Sequence, residues 1–528
     1  MAPVEPDGVP ALPCSVPARP TGTSCRAWTS TYDHGSWDRS VGLGAGAHNV
    51  AVSPDGHFVF TTFASFDDTT GYDTVVVAFD AVTGQQVWSN RFDWNHLCDT
   101  PLDIAVSPDG SRVFVIGVYG SPGALLSCTP YYWSYATLAF DAATGIRLWF
   151  SSYIGPEKGP DMGFRIAVSP AGDTVFVSGV SCCSWVEGLA TWDLATVAYD
   201  AATGERRWVA RYDDPEHGDD EPLAIAVSPD GSRVFVSGAG GKDVIPCGLC
   251  KQHEKLRFQT VAYDAHTGQQ QWVRTYDGVD GTQSAAWDLV VAQDSTRVFV
   301  TGTGNYGANG STATTLAYDA ADGDTLWEQG EGSGTDGMVA SGSSVVVSPT
   351  GLGRVYVGGT VSGTALSGQA SSWTSFAAAY DPLTGERRWM TGQNAPSNFE
   401  SSGTAITVAP DGSAVYEVGL LIPVNDMTAA GAGVPTITAN LFRTTPTDWM
   451  IAGFSAATGA KLFEDDFNSS VAGIDEDLDV QMAVGPEGTV YAAGTFVSHG
   501  YGDPLPMVNQ GVVKGSPQAD FGLVAVRP

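Results

Sequence analysis

Four groups of side chains in this chain have the types and spacing to do chemistry. Adjacent Cys182 and Cys183 are the sharpest, because a disulfide between sequence neighbours closes a strained ring. Cys247-Gly-Leu-Cys250-Lys-Gln-His253 offers three zinc ligands without a clear fourth, so a small disulfide loop is the expected state there. Asp99, Asp161, Asp220 and Asp477 recur in register and suit either closure of a turn through local backbone or a Ca²⁺-binding rim. Four residues after those positions stands a mixed series: Asn49, Asp103, Arg165, Ala224, Asp288, Ser344, Ala405 and Gln481. If they share one face, they form a polar ring able to hold a small ligand, with Trp287 beside Asp288 as a further candidate ligand-binding residue.

Other chemistries lack support. The chain contains no Gly-x-Ser-x-Gly elbow, no His-Glu-x-x-His and no Gly-x-x-x-x-Gly-Lys-Ser/Thr loop. A formal net charge of -33 repels phosphate backbones, which excludes nucleic acid as the expected partner and leaves a protein or a glycan. No apolar run approaches the roughly 20 residues of a membrane helix. The eight cysteines fall into the expected pairs Cys14 with Cys25, Cys98 with Cys128, Cys182 with Cys183, and Cys247 with Cys250. That arithmetic points to an oxidising, secreted setting, with the leader removed and Met1 added in its place. A monomer is expected.

The elements that must position these residues are repeats. Asp-x-x-Thr-Gly-x-x-x-Trp, or a close variant, recurs at intervals of about sixty residues, at Gly84/Trp88, Gly145/Trp149, Gly204/Trp208, Gly268/Trp272, Gly323/Trp327 and Gly385/Trp389, and weakened at Gly459/Phe463. A second hairpin signal stands at Ser53, Ser107, Ser169, Ser228 and Ser348, with degraded versions at Ala292, Ala409 and Gly485. Between the turns run short apolar-alternating segments, four per repeat, and 64 Gly with 30 Pro fit turns rather than helices. The reading is all-β, an eight-bladed β-propeller of four-stranded antiparallel blades. The chain ends on a third strand, Phe521-Gly-Leu-Val-Ala-Val526, and the missing fourth matches the segment around Trp28. Residues 1–25 are therefore expected to be a surface arm and 26–528 one propeller, whose eighth blade combines 26–33 with about 479–526.

The Ala-x-Asp-x-x-Thr-Gly-x-x-x-Trp turns resemble the tryptophan-docking motifs of quinoprotein-type propellers, and Ser-Pro-Asp-Gly-Ser-Arg-Val-Phe-Val resembles the repeats of secreted bacterial PQQ-like propeller proteins. The resemblance covers roughly residues 26 to 528. It implies the fold, and it implies two kinds of function: quinone-dependent alcohol dehydrogenases, and cofactor-free assembly or binding proteins. In the dehydrogenases a ring of adjacent cysteines lies over the cofactor, which gives Cys182 and Cys183 a possible role. No Cys-x-x-Cys-His haem site is present, however, and the inner strands show no long match to those enzymes.

Three functions follow in order of expectation. The first is a binding or scaffold protein whose face is built from long loops at 119–133, 180–192, 239–256, 420–446 and 496–517. The second is an oxidoreductase using pyrroloquinoline quinone and Ca²⁺, and the third a polysaccharide lyase or hydrolase. Ca²⁺ is the possible metal. The quinone is not expected to bind, since Arg165 is the one cation in the ring.

Overall fold

The structure is a computed structural model; it describes residues 25–36, 49–67, 69–95, 98–120, 133–186, 189–246, 251–279, 282–307, 310–332, 339–350, 353–362, 373–392, 399–423, 448–467, 476–498 and 518–528. Its thirty-two strands form eight four-stranded antiparallel sheets, and the described residues contain no helix. Blade 4 shows the unit: Asp219–Val227, Arg233–Pro246, Lys251–Asp264 and Gln270–Tyr276. The Ser-Pro-Asp-Gly hairpin closes its first two strands, with Gly231 N–H on the Ser228 carbonyl at 2.8 Å and the Ser228 hydroxyl on Asp230 at 2.6 Å. The Asp-x-x-Thr-Gly turn closes the last two, its Asp264 carboxylate accepting the N–H of Thr267 at 2.9 Å and the Thr267 hydroxyl at 2.8 Å.

The ring closes through a composite blade. Blade 8 takes Glu476–Val484, Val490–Ser498 and Gln518–Arg527 from one end of the chain and Cys25–Ser36 from the other. Cys25 pairs with Arg527 and Trp28 with Ala525. The outer strand runs longer than 26–33, and the pairing leaves no open edge in that blade's interior.

The core lies between blades, in eight apolar clusters that each join one blade to the next. Each outer-strand Trp crosses such a junction. Trp28, Trp88, Trp149, Trp208 and Trp272 donate their indole N–H to Ala81, Ala142, Ala201, Ala265 and Ala320 of the following blade at 2.9–3.1 Å. Trp327 and Trp389 do the same to Pro382 and Ala456, both at 3.1 Å. Phe463 breaks the series for a structural reason. The blade after it is the composite one, where the last two strands are not joined by a turn, so no turn carbonyl awaits an indole.

Two of the expected long loops are instead strand. Val186 pairs with Leu189 and Pro246 with Lys251, so 180–192 and 239–256 are lengthened hairpins whose second and third strands continue beyond the sheet body. Alternation in those segments was masked by Gly and Cys, which is why they read as loops. Of the other three, residues 121–132, 424–447 and 499–517 lie outside the described residues.

Candidate functional site

The innermost strand of six blades carries a β-bulge at one place, between Pro101 and Asp103, Gly163 and Arg165, Pro222 and Ala224, Ala286 and Asp288, Gly342 and Ser344, and Gly403 and Ala405. The extra residue bends the strand and turns two successive side chains toward the axis. A glycine on the second strand permits this close approach. At Gly238, an added Cβ would sit 1.9 Å from the Glu221 carbonyl oxygen. The glycine of the recurring Val-Phe-Val-Ser-Gly segment was thus the signal that the bulge existed, and the sequence reading missed it.

Around the axis lies a cavity of about 440 Å³. It is lined by all eight members of the series, Asn49, Asp103, Arg165, Ala224, Asp288, Ser344, Ala405 and Gln481, together with Trp287. Bulge residues that the alternation did not mark, Leu102, Leu223, Ser343 and Thr404, line it too. Trp287 is itself a bulge residue, 40% exposed, with its indole N–H on the Thr303 hydroxyl at 2.9 Å.

Most ring members also hold neighbouring blades together. Asn49 donates to Asp103 at 2.6 Å, and Asp103 accepts the N–H groups of Ile104 at 2.8 Å and of Ile166, one blade on, at 3.0 Å. Asp288 accepts Leu289 N–H at 2.8 Å and, from the next blade, Val345 N–H at 2.8 Å and the Ser344 hydroxyl at 3.0 Å. Arg165 donates to the Leu223 carbonyl at 2.6 Å and the Ser343 hydroxyl to that of Gly403 at 2.9 Å. Burial lifts the carboxyls of Asp103 and Asp288 to about 6. Backbone N–H donors and the Arg165 charge keep both from rising further. Each carboxylate retains one oxygen with a single protein donor, Asp103 Oδ2 and Asp288 Oδ1, so a lone pair on each can accept from a ligand hydroxyl.

The recurrent aspartates sit apart from this cavity. Asp99, Asp161 and Asp220 are fully buried at the start of their inner strands and do not line it. Each accepts a backbone N–H from the link arriving from the preceding blade: Trp94 at 2.6 Å, Gly155 at 2.7 Å and Asp214 at 2.9 Å. Burial pushes Asp99 and Asp220 up to about 8 and raises Asp161. The three do not converge on one another among the described residues. Asp477 lies in the inner strand of blade 8, and its side chain is outside the described residues.

Cys25, Cys98 and Cys182 are each in a disulfide, and no described cysteine is a free thiol. Cys182 is 2% exposed within the second strand of blade 3 and does not line the axial cavity. Cys14, Cys128, Cys247 and Cys250 and the side chains of Cys183 and His253 lie outside the described residues.

A family model described as outer membrane protein assembly factor BamB matches residues 18–305 and 261–419, well over half of the chain. The chain belongs to this PQQ-like propeller family. No curated protein matches it. Among solved structures, Sqt1 of Chaetomium thermophilum bound to the N-terminus of ribosomal protein L10 has a TM-score of 0.50 at 12% identity, covering 85% of this chain and 94% of that one. A quinohemoprotein alcohol dehydrogenase from Comamonas testosteroni has a TM-score of 0.45 at 14% identity, covering 95% and 76%. A europium-containing methanol dehydrogenase, also at 0.45 and 14%, covers 95% and 93%. Likeness at this identity speaks to the fold alone.

The axial residues of this PQQ-like propeller do not fit the quinone that gives the fold its name. That cofactor carries several carboxylates, whereas among the described residues Arg165 is the one cationic side chain lining the cavity, beside two acids. Cys182 is buried and does not line the cavity.

Proposed function

We propose that this propeller is an extracytoplasmic binding protein whose axial cavity takes the end of a polyhydroxylated ligand, a glycan being the class that fits best. The observation that carries this reading is Trp287, a large aromatic ring 40% exposed and lining a cavity that also presents Asn49, Asp103, Arg165, Asp288, Ser344 and Gln481. A flat aromatic face stacks on the C–H face of a sugar ring. Around it stand the matching polar groups. Among the described residues, Gln481 has an amide without a partner, Arg165 has one terminal nitrogen without an acceptor, and Asp103 and Asp288 keep a lone pair each for ligand hydroxyls. A cavity of about 440 Å³ falls within the range of ligand sites and suits one or two sugar rings.

The chemistry stops at binding. Asp103 and Asp288 each accept a backbone N–H from the following blade, a structural task that makes a lyase or hydrolase the lesser reading. The domain division follows the same reading: residues 1–24 as an arm and the remainder, from the strand that opens at Cys25, as one monomeric propeller. A glycan array with the purified chain tests the class. Binding to a defined set of oligosaccharides, lost on Trp287→Ala, supports the proposal. An array without signal, or a signal indifferent to Trp287→Ala, overturns it. In parallel, pyrroloquinoline quinone with Ca²⁺ should give neither tight binding nor dye-linked alcohol oxidation.

A further inference from the structure

Among the described residues three charged side chains line the axial cavity, Asp103, Arg165 and Asp288, so two carboxylates against one guanidinium leave an excess of one negative charge, in a chain at -33 overall. Neither acid has a cationic group on it. Asp103 takes its donors from the Asn49 amide at 2.6 Å and from the N–H groups of Ile104 and Ile166 at 2.8 and 3.0 Å. Asp288 takes its own from the N–H groups of Leu289 and Val345, both at 2.8 Å, and the Ser344 hydroxyl at 3.0 Å. Arg165 spends its donors on backbone, through Nε on the Leu223 carbonyl at 2.6 Å and through Nη1 on that of Phe164 at 3.2 Å, and reaches both carboxyls only through its field. Carboxylates taken out of bulk water and held by neutral donors alone are further stabilised by a cation that enters with a ligand.

The aromatic wall of the cavity favours the same charge. The bulge between Ala286 and Asp288 turns Trp287 and Asp288, neighbours in sequence, into one cavity. Trp287 is pinned at its nitrogen edge: its N–H donates to the Thr303 hydroxyl at 2.9 Å, and that hydroxyl lies 2.6 Å from the Ser341 hydroxyl of the next blade. With its one donor engaged, the ring has only carbon surface to offer a ligand. An indole face attracts a cation, and a carboxylate beside it supplies the countercharge and a charge-assisted acceptor. A neutral hydroxyl gains the weaker form of that bond, and a ligand carboxylate meets two like charges.

Given the glycan reading of this cavity, on which the inference rests, we propose that the ligand is an amino sugar whose free ammonium group is received by Asp288 beside the Trp287 ring, with Asp103 supplying the second negative charge. An ammonium group has three donors and no acceptor, which suits the lone pairs left on Asp288 Oδ1 and Asp103 Oδ2. N-acetylation removes the charge and leaves the ring to stack, so the acetylated sugar separates this recognition from stacking alone.

The test is isothermal titration of the full chain at pH 7 with four β-1,4-linked disaccharides, those of glucosamine, N-acetylglucosamine, glucose and glucuronic acid. The glucosamine disaccharide is expected to bind about tenfold more tightly than each of the others. Asp288→Asn keeps the shape and removes the charge, and it should erase most of that preference. Should the variant fail to fold, the wild type at pH 5 gives the same information. Asp103 and Asp288, held at about 6 by burial, are then protonated, so the preference should shrink, whereas the amine's own gain of charge on acidification would enlarge it. Binding of the neutral disaccharide that Trp287→Ala abolishes, with no preference for the amine, overturns the amino-sugar assignment and leaves the glycan reading standing. A preference for the amine that survives both Asp288→Asn and pH 5 also overturns it, as does a wild type that binds none of the four.

Discussion

The indole N–H of Trp208 in blade 3 lies 3.0 Å from the carbonyl oxygen of Ala265 in blade 4, and the ring rests on Gly268 of the same turn. Gly268 has a φ of 72°, and a Cβ there would come within 2.6 Å of two ring carbons. Backbone conformation and ring contact thus both require glycine. Chemical denaturation should show Gly268→Ala destabilised by roughly 2 kcal/mol or more, from left-handed strain and displacement of the ring. Trp208→Ala should cost about 3–5 kcal/mol and Trp208→Phe, which keeps the plate and loses the donor, about 1–2 kcal/mol. A Gly268→Ala variant as stable as the parent would contradict the docking account.

This relationship explains why the fold was legible. A Trp at fixed phase beside an Asp-x-x-Thr-Gly turn is a junction in miniature, and its recurrence counts the blades. The composite blade was legible because Trp28 lacks a turn before it and Phe521–Val526 lacks a strand after it. The axial ring was half legible: period-two alternation located Asp103, Arg165 and Asp288, but a bulge adds one residue, so Leu102, Leu223, Ser343 and Thr404 had no signal in that pattern. The aspartates recurring in register marked loop closures.

Ring closure by the N-terminal strand makes a sharp prediction about truncation. Deleting residues 1–20 should leave the thermal midpoint nearly unchanged. Deleting residues 1–36 removes Cys25–Ser36, strips Trp28 from Ala81 and bares the Gln518–Arg527 strand, so it should lower the midpoint steeply and promote aggregation. Equal midpoints for the two truncations would refute closure.

Stability should fall as pH rises from about 4 to about 8. Burial holds Asp220 at about 8, and Asp103 and Asp288 at about 6, against 3.8 for an unperturbed aspartate, so the folded state binds more protons than the unfolded one across that window. The turn aspartates act oppositely and lower down: Asp109, Asp200 and Asp381 are held at about 2 by hydrogen bonds, so their contribution is lost only as pH falls from about 4 toward 2. Urea midpoints in chelator at pH 5, 6.5 and 8 measure the slope. Asp220→Asn should flatten it, and a wild-type slope of the opposite sign would count against these assignments.

The cysteines should pair as Cys14 with Cys25, Cys98 with Cys128, Cys182 with Cys183 and Cys247 with Cys250. Mass mapping of non-reduced peptides decides it. Free thiols at Cys247 and Cys250 with stoichiometric zinc would replace the disulfide reading of that segment with a metal site.

The most direct measurement of the axial-site account is isothermal titration of an array-selected oligosaccharide into the wild type, Trp287→Ala and Gln481→Ala. The account predicts one site per chain, affinity reduced at least tenfold by Trp287→Ala through the lost stacking surface and several-fold by Gln481→Ala, with both variants unfolding at the wild-type midpoint. Unchanged affinity in Trp287→Ala, or tight capture of pyrroloquinoline quinone with Ca²⁺ that Arg165→Ala abolishes, would contradict it.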